Sequence, residues 1–372
     1  MKRLVIIVLY DEYGSIQSYK EYYIRELHKV SSKMIAVVNG TLSTESKLIL
    51  SKYADHVVIR ENIGMDAGAY KNLFQDYLTL EETQKYDEII LSNDTVFGPF
   101  VPFESIFDRM KQEEADIWGI HKSKETFCDH LQSNFLVFRK QVFSDVFSFF
   151  EDKVFGDNDY AYIIGRFEMM LSYYMESRGW KLSSLLKESR CNPFFSPGSM
   201  IRIYGYPFLK KKSLEMAEED EIVDAIRYLS ENTDYPVEYI IDYVKKNGKD
   251  LSSIGGKENA CTKTQDWIPY YQIKISDILD FANRGDKIWI AGTGTIAKQV
   301  FAFLEDSSLL RGFVVSDSEH KSFDTLFSYP VKILDELCSS ERIIVALSEK
   351  NARMLLPALD RFEEKLFVYE YF

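Results

Sequence analysis

Two short segments of this 372-residue sequence place acidic, amide and glycine residues directly after apolar runs. They are ENIGMDAGAY (residues 61–70) and LSNDTVFGPF (residues 91–100), and two earlier runs end in similar residues. Such residues are common in turns, but four strand ends of this kind, three of them with carboxylates, favour a nucleotide and metal site at one edge of a sheet. The residues of this predicted site are Asp11, Asn39, Asn62, Gly64, Asp66, Asn93 and Asp94.

Asp94 is the candidate metal ligand of this set. A carboxylate at the end of a strand, flanked by Asn93 and Thr95, can coordinate Mg²⁺ or Mn²⁺ that bridges a diphosphate. The alternative is that Asp94 caps a helix or closes an Asx-turn before the FGPF segment. The residue types alone are compatible with both interpretations.

Glu168 is the candidate general base. In GRFEMMLSYYMESRGW (residues 165–180), apolar side chains recur at helical spacing, which predicts a helix that faces the core with Glu168 in its first turn. One interpretation is a favourable interaction of the carboxylate with the helix dipole. The other is a desolvated carboxylate beside a pocket, where its pKa rises and it accepts a proton.

Three polar residues in the segment HLQSN (residues 130–134), just before an apolar run, are candidates for an acceptor pocket. They are His130, Gln132 and Ser133. Their position at the start of a predicted strand would let them line a pocket, whereas a lone histidine is more often a hydrogen-bonded structural residue.

A second group of candidate residues lies near the C-terminus. The strand in DKIWIA is followed by Gly292-x-Gly294-x-x-Ala297 and then by a helical pattern, and Asp317 ends the next strand. This spacing resembles a dinucleotide-binding unit, with glycines for the turn and an acid for the ribose. The motif predicts a second nucleotide site, but the same glycines could serve only to pack the helix against its strand.

Alternating strands and helices are expected to position these residues. Apolar runs of strand length alternate with helical patterns near residues 16–30, 43–53, 67–79, 102–113 and 159–178. This alternation predicts an α/β fold with a mostly parallel sheet flanked by helices. The predicted strands are Leu4–Tyr10, Met34–Val38, His56–Ile59, Glu88–Leu91, Asp116–Ile120 and Asn134–Phe138.

The length and the local composition predict more than one domain. The first, residues 1–212, holds the candidate active site. Residues 213–262 contain two amphipathic helices, SLEMAEEDEIVDAIRYL and PVEYIIDYVKKNG, and a polar linker that begins in SSIGGKENACTKTQ. The last, residues 263–372, is predicted to be a smaller Rossmann-like domain.

Charge and cysteine content exclude several classes of protein. The formal net charge of −13 argues against a nucleic-acid partner, which requires clustered basic residues. The basic run Lys210–Lys212 could contact a diphosphate or a membrane surface, or be a solvated turn. No apolar run reaches the roughly 20 residues of a membrane span. The four cysteines lack metal-site spacing, and they predict reduced thiols in the cytoplasm: Cys128, Cys191, Cys261 and Cys338.

Five motifs in order over about residues 1–212 resemble the rhamnan synthesis protein F family, glycosyltransferases of bacterial polysaccharide assembly. They are ENIGMDAGAYK, LSNDTVFGPF, HLQSNFLVFRK, FEMMLSYYMESRGW and YGYPFLKK. The resemblance implies a GT-A fold that binds a nucleotide-sugar at the strand carboxyl ends and usually holds a divalent metal with Asp-x-Asp. Ser92-Asn93-Asp94 keeps only the last acid of that motif. Glu168 stands where inverting members keep a catalytic carboxylate, and Asp11, Asn39 and Asp66 would face the nucleotide.

The combined expectation is an inverting glycosyltransferase. It would move a sugar, plausibly rhamnose or another deoxyhexose, from a nucleoside diphosphate to a cell-wall, capsular or lipid-linked glycan, at the inner face of the membrane. A peripheral membrane contact and a homo-oligomer are both compatible with this expectation. The alternatives are an NAD(P)-dependent oxidoreductase that uses Gly292 and Gly294, and a non-catalytic scaffold that binds sugar nucleotides.

Overall fold

Four parallel strands in the N-terminal region (residues 1–247) form the part of the sheet on which the candidate site lies. The computed structural model describes residues 1–123, 127–187, 191–247 and 273–368. The order of these strands is β3-β2-β1-β4, and their parallel register brings their carboxyl ends to one edge. The strands are β1 (Arg3–Tyr10), β2 (Lys33–Asn39), β3 (His56–Arg60) and β4 (Glu88–Asn93).

The same sheet continues on the other side of β4. Strand β8 pairs antiparallel with both β4 and β6, β7 pairs antiparallel with β6, and β9 adds to β6 in parallel. Together with the three pairs above, four of the seven strand pairs are parallel, so the sheet is mostly parallel. The predicted α/β class, with a GT-A-like sheet flanked by helices, is therefore confirmed. The additional strands are β5 (Val96–Phe97), β6 (Ile117–Ser123), β7 (His130–Leu131), β8 (Phe135–Arg139), β9 (Leu182–Leu186) and β10 (Leu209–Lys210).

Helices cover both faces of this sheet because successive side chains of a strand point to opposite sides. In β1, Leu4, Ile6 and Val8 belong to one apolar core, while Val5 and Ile7 belong to the other. The first helices are α1 (Ser18–Val30), α2 (Thr44–Leu50), α3 (Met65–Asp76), α4 (Leu80–Thr83), α5 (Phe103–Met110) and α6 (Phe143–Asp152), the last after a 3₁₀ turn at Lys140–Val142.

The segment that carries Glu168 is a single helical rod of mixed type. It begins as α7 (Tyr160–Ile163), passes through a π-helical turn (Ile164–Met169) and ends as α8 (Met170–Ser177). The side chain of Asp159 caps its start by accepting hydrogen bonds from the backbone N–H groups of Ala161 and Tyr162. This rod agrees with the predicted helix near residues 159–178.

A small two-stranded sheet and a helical layer close one side of the site. Strand β10 pairs antiparallel with β5, which places Lys210 opposite Val96, close to the end of β4. Helices α11 and α12 pack on this layer and enclose a third apolar core. The helices of the layer are α9 (Pro197–Tyr204), α10 (Ser213–Met216), α11 (Glu219–Asn232) and α12 (Glu238–Lys246).

The C-terminal region (residues 273–368) contains a second, mostly parallel sheet. Its order is β13-β14-β12-β11-β15-β16, in which all pairs except β13·β14 are parallel. Its parallel strands, β14-β12-β11-β15-β16, follow in chain order the 3-2-1-4-5 pattern of a doubly wound sheet. Its elements are α13 (Ile275–Asn283), β11 (Ile288–Ala291), α14 (Thr295–Leu304), β12 (Leu310–Val315), β13 (Thr325–Leu326), β14 (Tyr329–Ile333), a 3₁₀ turn (Leu334–Glu336), β15 (Arg342–Val345), α15 (Glu349–Leu359) and β16 (Lys365–Phe367).

The predicted helix over residues 213–229 is wrong in one respect. The chain turns extended at Ala217 (ψ 153°), so α10 and α11 are separate helices. The predicted polar linker and Cys261 lie outside the described residues, and the boundaries at 212 and 262 stay predictions. Among the described residues, no helix is both long and apolar enough to cross a membrane.

Candidate active site

The register of the sheet brings the predicted site residues together. Tyr10 at the end of β1 lies beside Asn39 at the end of β2, and Asn93 of β4 lies beside Val8. A cavity of about 590 Å³ opens at this edge. Its lining includes Asn39, Asn62, Asp66, Asn93, Asp94, Ser133 and Glu168 from the predicted set, together with aromatic side chains and the run Lys210–Lys212.

A hydrogen-bonded chain links two carboxylates across the cavity through Ser133. The backbone N–H of Ser133 donates to Glu168 Oε1 (2.8 Å), and its hydroxyl donates to Asp66 Oδ2 (3.3 Å). Asn93 Nδ2 also donates to Asp66 Oδ2 (2.8 Å). Burial, together with the nearby charge of Glu168, raises the pKa of Asp66 to about 6. The two acids therefore form one coupled unit, with Glu168 held by a backbone donor.

Glu168 does not lie where the sequence predicted within its helix. The rod begins at Tyr160, so Glu168 is in the π-helical turn rather than in a first turn, and the helix dipole does not explain it. A π turn widens the helix and is frequent at functional sites. The Glu168 side chain is 16% exposed and borders the cavity, as a proton acceptor requires.

The three predicted acceptor-pocket residues separate in the structure. Ser133 lines the cavity, whereas His130 lies behind it, with Nε2 3.7 Å from Glu168 Oε2 and Nδ1 3.1 Å from the carbonyl oxygen of Cys128. Gln132 is buried, is not part of the lining, and its Oε1 lacks a hydrogen-bond partner among the described residues. The geometry thus favours Ser133 for contact with a ligand and His130 as a neighbour of Glu168.

Asp94 forms a buried ion pair with a lysine from helix α1. Lys20 Nζ lies 2.6 Å from Asp94 Oδ2 and donates to the carbonyl oxygen of Tyr10 (2.7 Å). Burial alone would raise the pKa of Asp94, but the charges of Lys211 and Lys20 outweigh it and hold this pKa below its usual value. Asp94 is therefore an ionised group whose charge the protein itself compensates.

Three consecutive lysines add positive charge to the same cavity. Lys210 Nζ lies 4.5 Å from the ring centre of Phe194, and Lys212 Nζ lies 3.6 Å from that of Tyr160. Lys211 Nζ is 3.5 Å from the hydroxyl of Tyr19. Burial lowers the pKa of Lys212. Lys210 is buried in β10, whereas Lys211 and Lys212 lie in the partly exposed turn that follows it. The run is therefore a turn at the cavity wall, and the interpretation as a contact for a diphosphate stays a prediction.

The donor set around Asp94 does not fit the predicted Mg²⁺ or Mn²⁺ ion. Among the described residues, no group of three His, Cys, Asp or Glu side chains is arranged to hold a metal ion. Magnesium is usually held by one or two carboxylates together with substrate phosphates, but Asp94 Oδ2 is already paired with Lys20 at 2.6 Å, and the charge of Lys211 also lowers the pKa of Asp94. The charge that a metal would supply to a diphosphate is present here as lysine.

The remaining predicted residues hold the loops around the cavity. Asp11 is not part of the lining; its carboxylate accepts hydrogen bonds from the backbone of Tyr13 and Ser15 and from Gln17. Asn39 holds both ends of the connection between β3 and α3, since Nδ2 donates to the carbonyl oxygen of Met65 and Oδ1 accepts from Arg60. Both contacts shape the cavity edge.

Gly64 and Asn62 shape the start of helix α3. Gly64 has φ +73°, and a Cβ there would lie 2.3 Å from the carbonyl oxygen of Phe155, so only glycine fits. Asn158 clamps the turn by accepting from the Gly64 N–H and donating to the carbonyl oxygen of Asn62. The side-chain Oδ1 of Asn62, in contrast, has no partner among the described residues. It is a buried, unsatisfied acceptor of a residue that lines the cavity.

A second cavity, of about 510 Å³, lies at the carboxyl edge of the C-terminal sheet. Gly292, Gly294 and Asp317 line it, as the sequence predicted. A Cβ on Gly292 would lie 2.8 Å from the carbonyl oxygen of Ala346, so this glycine is also required for packing. Asp317 accepts from the His320 ring (2.8 Å) in its own loop. Both the ligand-binding and the packing interpretation remain compatible with this geometry.

The family of the chain follows from a match over residues 34–268 to the model of the rhamnan synthesis protein F family. The chain belongs to this family. The match includes all five quoted motifs, the lysine run and the helical layer over the cavity. It ends before the C-terminal region.

Two relatives of this family member are similar to it over about half of the chain. The uncharacterized protein y4gN of Sinorhizobium fredii is 28% identical over 190 residues, which are 49% of this chain and 48% of that protein. The virulence protein VirA of Vibrio anguillarum is 27% identical over 167 residues, 44% of this chain and 52% of that protein. The chain thus aligns with about half the length of each relative.

Two solved structures are similar to the chain at low identity. The glycosyltransferase GlyE of Streptococcus pneumoniae TIGR4 covers 99% of this chain and 96% of its own, with 12% identity and a TM-score of 0.35. A cytidylyltransferase from Leptospira borgpetersenii covers 69% of this chain and 99% of its own, with 13% identity and a TM-score of 0.33. Overlaps of this size do not assign an activity to the chain.

Several residues of the site were not predicted from the sequence of this family member. Lys20 lies on α1 between Tyr19 and Tyr23, on the buried face of that helix. A lysine at an apolar position of an amphipathic helix was the available signal, because a buried ammonium requires a partner. Tyr160 and Tyr243 also line the cavity, yet nothing in their spacing distinguishes them from core aromatics.

Proposed function

We propose that this rhamnan synthesis protein F family member is an inverting glycosyltransferase that uses a nucleoside-diphosphate sugar. One observation carries the proposal: lysines and a carboxylate line the same cavity at the carboxyl edge of a mostly parallel sheet. Lys210, Lys211 and Lys212 supply positive charge for a diphosphate, and Glu168 supplies a proton acceptor. An oxidoreductase would not need this combination.

The proposed reaction is an in-line displacement at the anomeric carbon of the donor sugar. The acceptor hydroxyl oxygen forms a bond to this carbon while the bond to the diphosphate oxygen breaks. Glu168 takes the hydroxyl proton, and the leaving nucleoside diphosphate carries the electron pair away. The lysine ammonium groups stabilise the charge that develops on its phosphate oxygens. No step requires a metal ion.

The roles of the other lining residues follow from their contacts. Ser133 orients Glu168 through its backbone N–H, and its hydroxyl is close enough to the acid pair to contact a sugar hydroxyl. We expect Asn62, whose buried Oδ1 has no partner among the described residues, to accept a hydrogen bond from the donor. The rings of Tyr10 and Tyr243, also in the lining, provide apolar surfaces for the base or for the acceptor sugar.

The donor and acceptor classes come from the family. Rhamnan synthesis indicates a deoxyhexose such as rhamnose on a nucleoside diphosphate, and a cell-wall, capsular or lipid-linked glycan as the acceptor. An acceptor on a lipid carrier would place the protein at the inner face of the membrane. A membrane contact and a homo-oligomer are additional predictions that the proposed reaction does not depend on.

The test is a titration of the full chain with dTDP-, UDP- and GDP-sugars and with NAD, followed by assays for released nucleoside diphosphate. We expect one class of sugar nucleotide to bind and turn over, and Glu168→Gln to bind it without turnover. Binding of NAD alone would favour the oxidoreductase alternative. Binding of sugar nucleotides with no turnover under any acceptor condition would favour the scaffold alternative.

A further inference from the structure

The helical rod that carries Glu168 lies between the cavity and the C-terminal region. Tyr160, Ile163, Ile164 and Glu168 line the cavity on one side. On the other side the rod packs against helix α14 of the C-terminal region, and the two regions share one apolar core. The wall of the candidate active site is therefore supported from behind by a part of the chain beyond the family match.

The contact between the π-helical turn and α14 is close because of a glycine. A Cβ on Gly165 would lie 3.0 Å from Ala302 Cβ and 3.1 Å from Gln299 Cα. A methyl group there would be tighter than ordinary van der Waals contact, so the two helices pack closely at this glycine. A shift of α14 would therefore be transmitted to the turn that holds Glu168.

Arg166 joins the two regions by charge. Its side chain is fully buried, two residues before Glu168. The guanidinium forms a bidentate pair with Asp306, at 2.9 Å for Nη1–Oδ2 and through Nη2–Oδ1, and its Nε lies 3.1 Å from Glu305 Oε2. Nη1 also donates to the carbonyl oxygen of Ala302 (3.2 Å).

Two further polar contacts hold the start of the rod to the same region. The Tyr162 hydroxyl donates a hydrogen bond to Glu305 Oε2 (2.5 Å). Lys298 of α14 pairs with Asp159, the residue that caps the rod. The carboxylates at the end of α14 and the lysine within it thus fix the rod at its start and at its π turn.

A buried arginine requires well-placed hydrogen-bond and charge partners. Its guanidinium stays charged at any physiological pH, so burial is tolerated only with carboxylate and carbonyl partners in good geometry. Bidentate pairing restricts the orientation of both partners. Here the carboxylates come from the C-terminal region, and the restricted element is the turn that presents Glu168.

We propose that Arg166 is a positioning residue for Glu168. On this proposal, the C-terminal region completes the active site by holding Arg166, and with it the turn that carries Glu168. This inference rests on the proposed function, because it concerns where the proton acceptor sits. It implies that the C-terminal region acts in catalysis without contacting the substrate. It also implies that a chain without this region would lose most of its turnover.

The test is a double-mutant comparison in the full chain, with the donor identified from the sugar-nucleotide panel. Arg166→Met removes the charge at similar length. We expect it to lower kcat roughly 10- to 100-fold, as small displacements of a catalytic group do, with the donor KM changed less than about threefold. In a Glu168→Gln background, Arg166→Met should change the remaining kcat by less than about twofold, because the group it positions is already absent.

A second variant tests the same inference without depending on the folding of Arg166→Met. Asp306 is partly exposed, so Asp306→Asn should fold, and we expect a smaller fall in kcat that also disappears in the Glu168→Gln background. The matched control is Glu341→Gln, which breaks the 3.0 Å ion pair with Arg311 within the C-terminal region. This control should leave kcat unchanged.

The outcomes separate this inference from the proposed function. Equal fold-losses from Arg166→Met, and from Asp306→Asn, in both backgrounds would make the arginine a structural residue only and overturn the inference. Unchanged kcat in Asp306→Asn, in a protein that folds, would also overturn it. Wild-type turnover in Glu168→Gln alone would instead overturn the proposed function.

Discussion

The two cavities of this protein occupy the same place in two different sheets. Each lies beyond the carboxyl ends of parallel strands, and their volumes are similar, about 590 and 510 Å³. The N-terminal cavity is lined by carboxylates and ammonium groups. The C-terminal one is lined by glycine, hydroxyl and apolar residues, with Asp317 as its carboxylate.

The two cavities differ in the surroundings of their carboxylates and therefore in the pKa values of these groups. The pKa of Asp317 is lowered to about 2, first by its hydrogen bond with His320 in the same exposed loop. In the N-terminal cavity, burial and Glu168 raise the pKa of Asp66 to about 6, and lysines face the carboxylates. Topology thus provides an edge where a ligand can bind, whereas the side chains decide whether chemistry can occur there.

The largest effect is expected from Glu168→Gln. The variant keeps the size of the side chain and one hydrogen-bond acceptor but removes the proton acceptor. We expect kcat to fall roughly 10²- to 10⁴-fold with donor binding preserved, the usual contribution of a positioned base. Steady-state kinetics measures it. Ser348→Ala in the C-terminal cavity is the matched control and should retain wild-type turnover. A comparable loss in this control would contradict the assignment of the chemistry to the N-terminal cavity alone.

The next effect concerns the diphosphate. Lys211→Met removes an ammonium group from the cavity wall, and charge-assisted contacts to phosphate are worth about 1.5–3 kcal/mol, which corresponds to a loss in affinity of roughly 10- to 100-fold. Calorimetry with the nucleoside diphosphate measures this loss. Lys187→Met removes a lysine paired with Glu113 outside the cavity and should leave affinity unchanged. Equal losses in both variants would indicate a general charge effect.

A smaller effect is expected on stability. Because the pKa of Asp66 is raised from 3.8 to about 6, the folded protein binds this proton more tightly than the unfolded chain does. The associated stability is fully present below about pH 4 and is lost as pH rises through 6. Asp66→Asn should therefore be more stable than wild type near pH 7.5, relative to the difference at pH 4, in urea denaturation. An unchanged difference at both pH values would contradict this account of Asp66.

The smallest effect is expected from a chelator. Because Lys20 and Lys211 compensate Asp94 where a cation would lie, EDTA should change nucleoside-diphosphate affinity by less than about twofold. Calorimetry with and without EDTA, and with added Mg²⁺ or Mn²⁺, measures this directly. A loss of ten-fold or more, restored by a divalent cation, would re-establish Asp94 as a metal ligand.

Local patterns predicted the sheet and the edge of the site well. The strands were found from short apolar runs, and parallel order alone brings Asn39, Asn93 and Asp94 to one edge. Asp11 shows the limit of this reasoning, because an acid after a strand can equally hold its own loop, as it does here. Distinguishing the two cases requires the loop conformation.

Long-range pairs were not predicted, because no local signal specifies them. Lys20 lies 74 positions from Asp94 in the chain, and Arg166 lies 140 positions from Asp306. The π turn at Ile164–Met169 was also missed, since its helical spacing of apolar residues is that of an ordinary helix. The tertiary contacts with α14 at Gly165 accompany this turn, and they lie outside any local window.

The most direct test of the central claim is the location of a bound nucleoside diphosphate in a crystal of the full chain. The account predicts its phosphates within about 4 Å of the ammonium groups of Lys210–Lys212, the range of an ion pair, with the base toward Tyr10 or Tyr243. Ligand found only at Gly292 and Gly294, with the N-terminal cavity empty at saturating concentration, would contradict it.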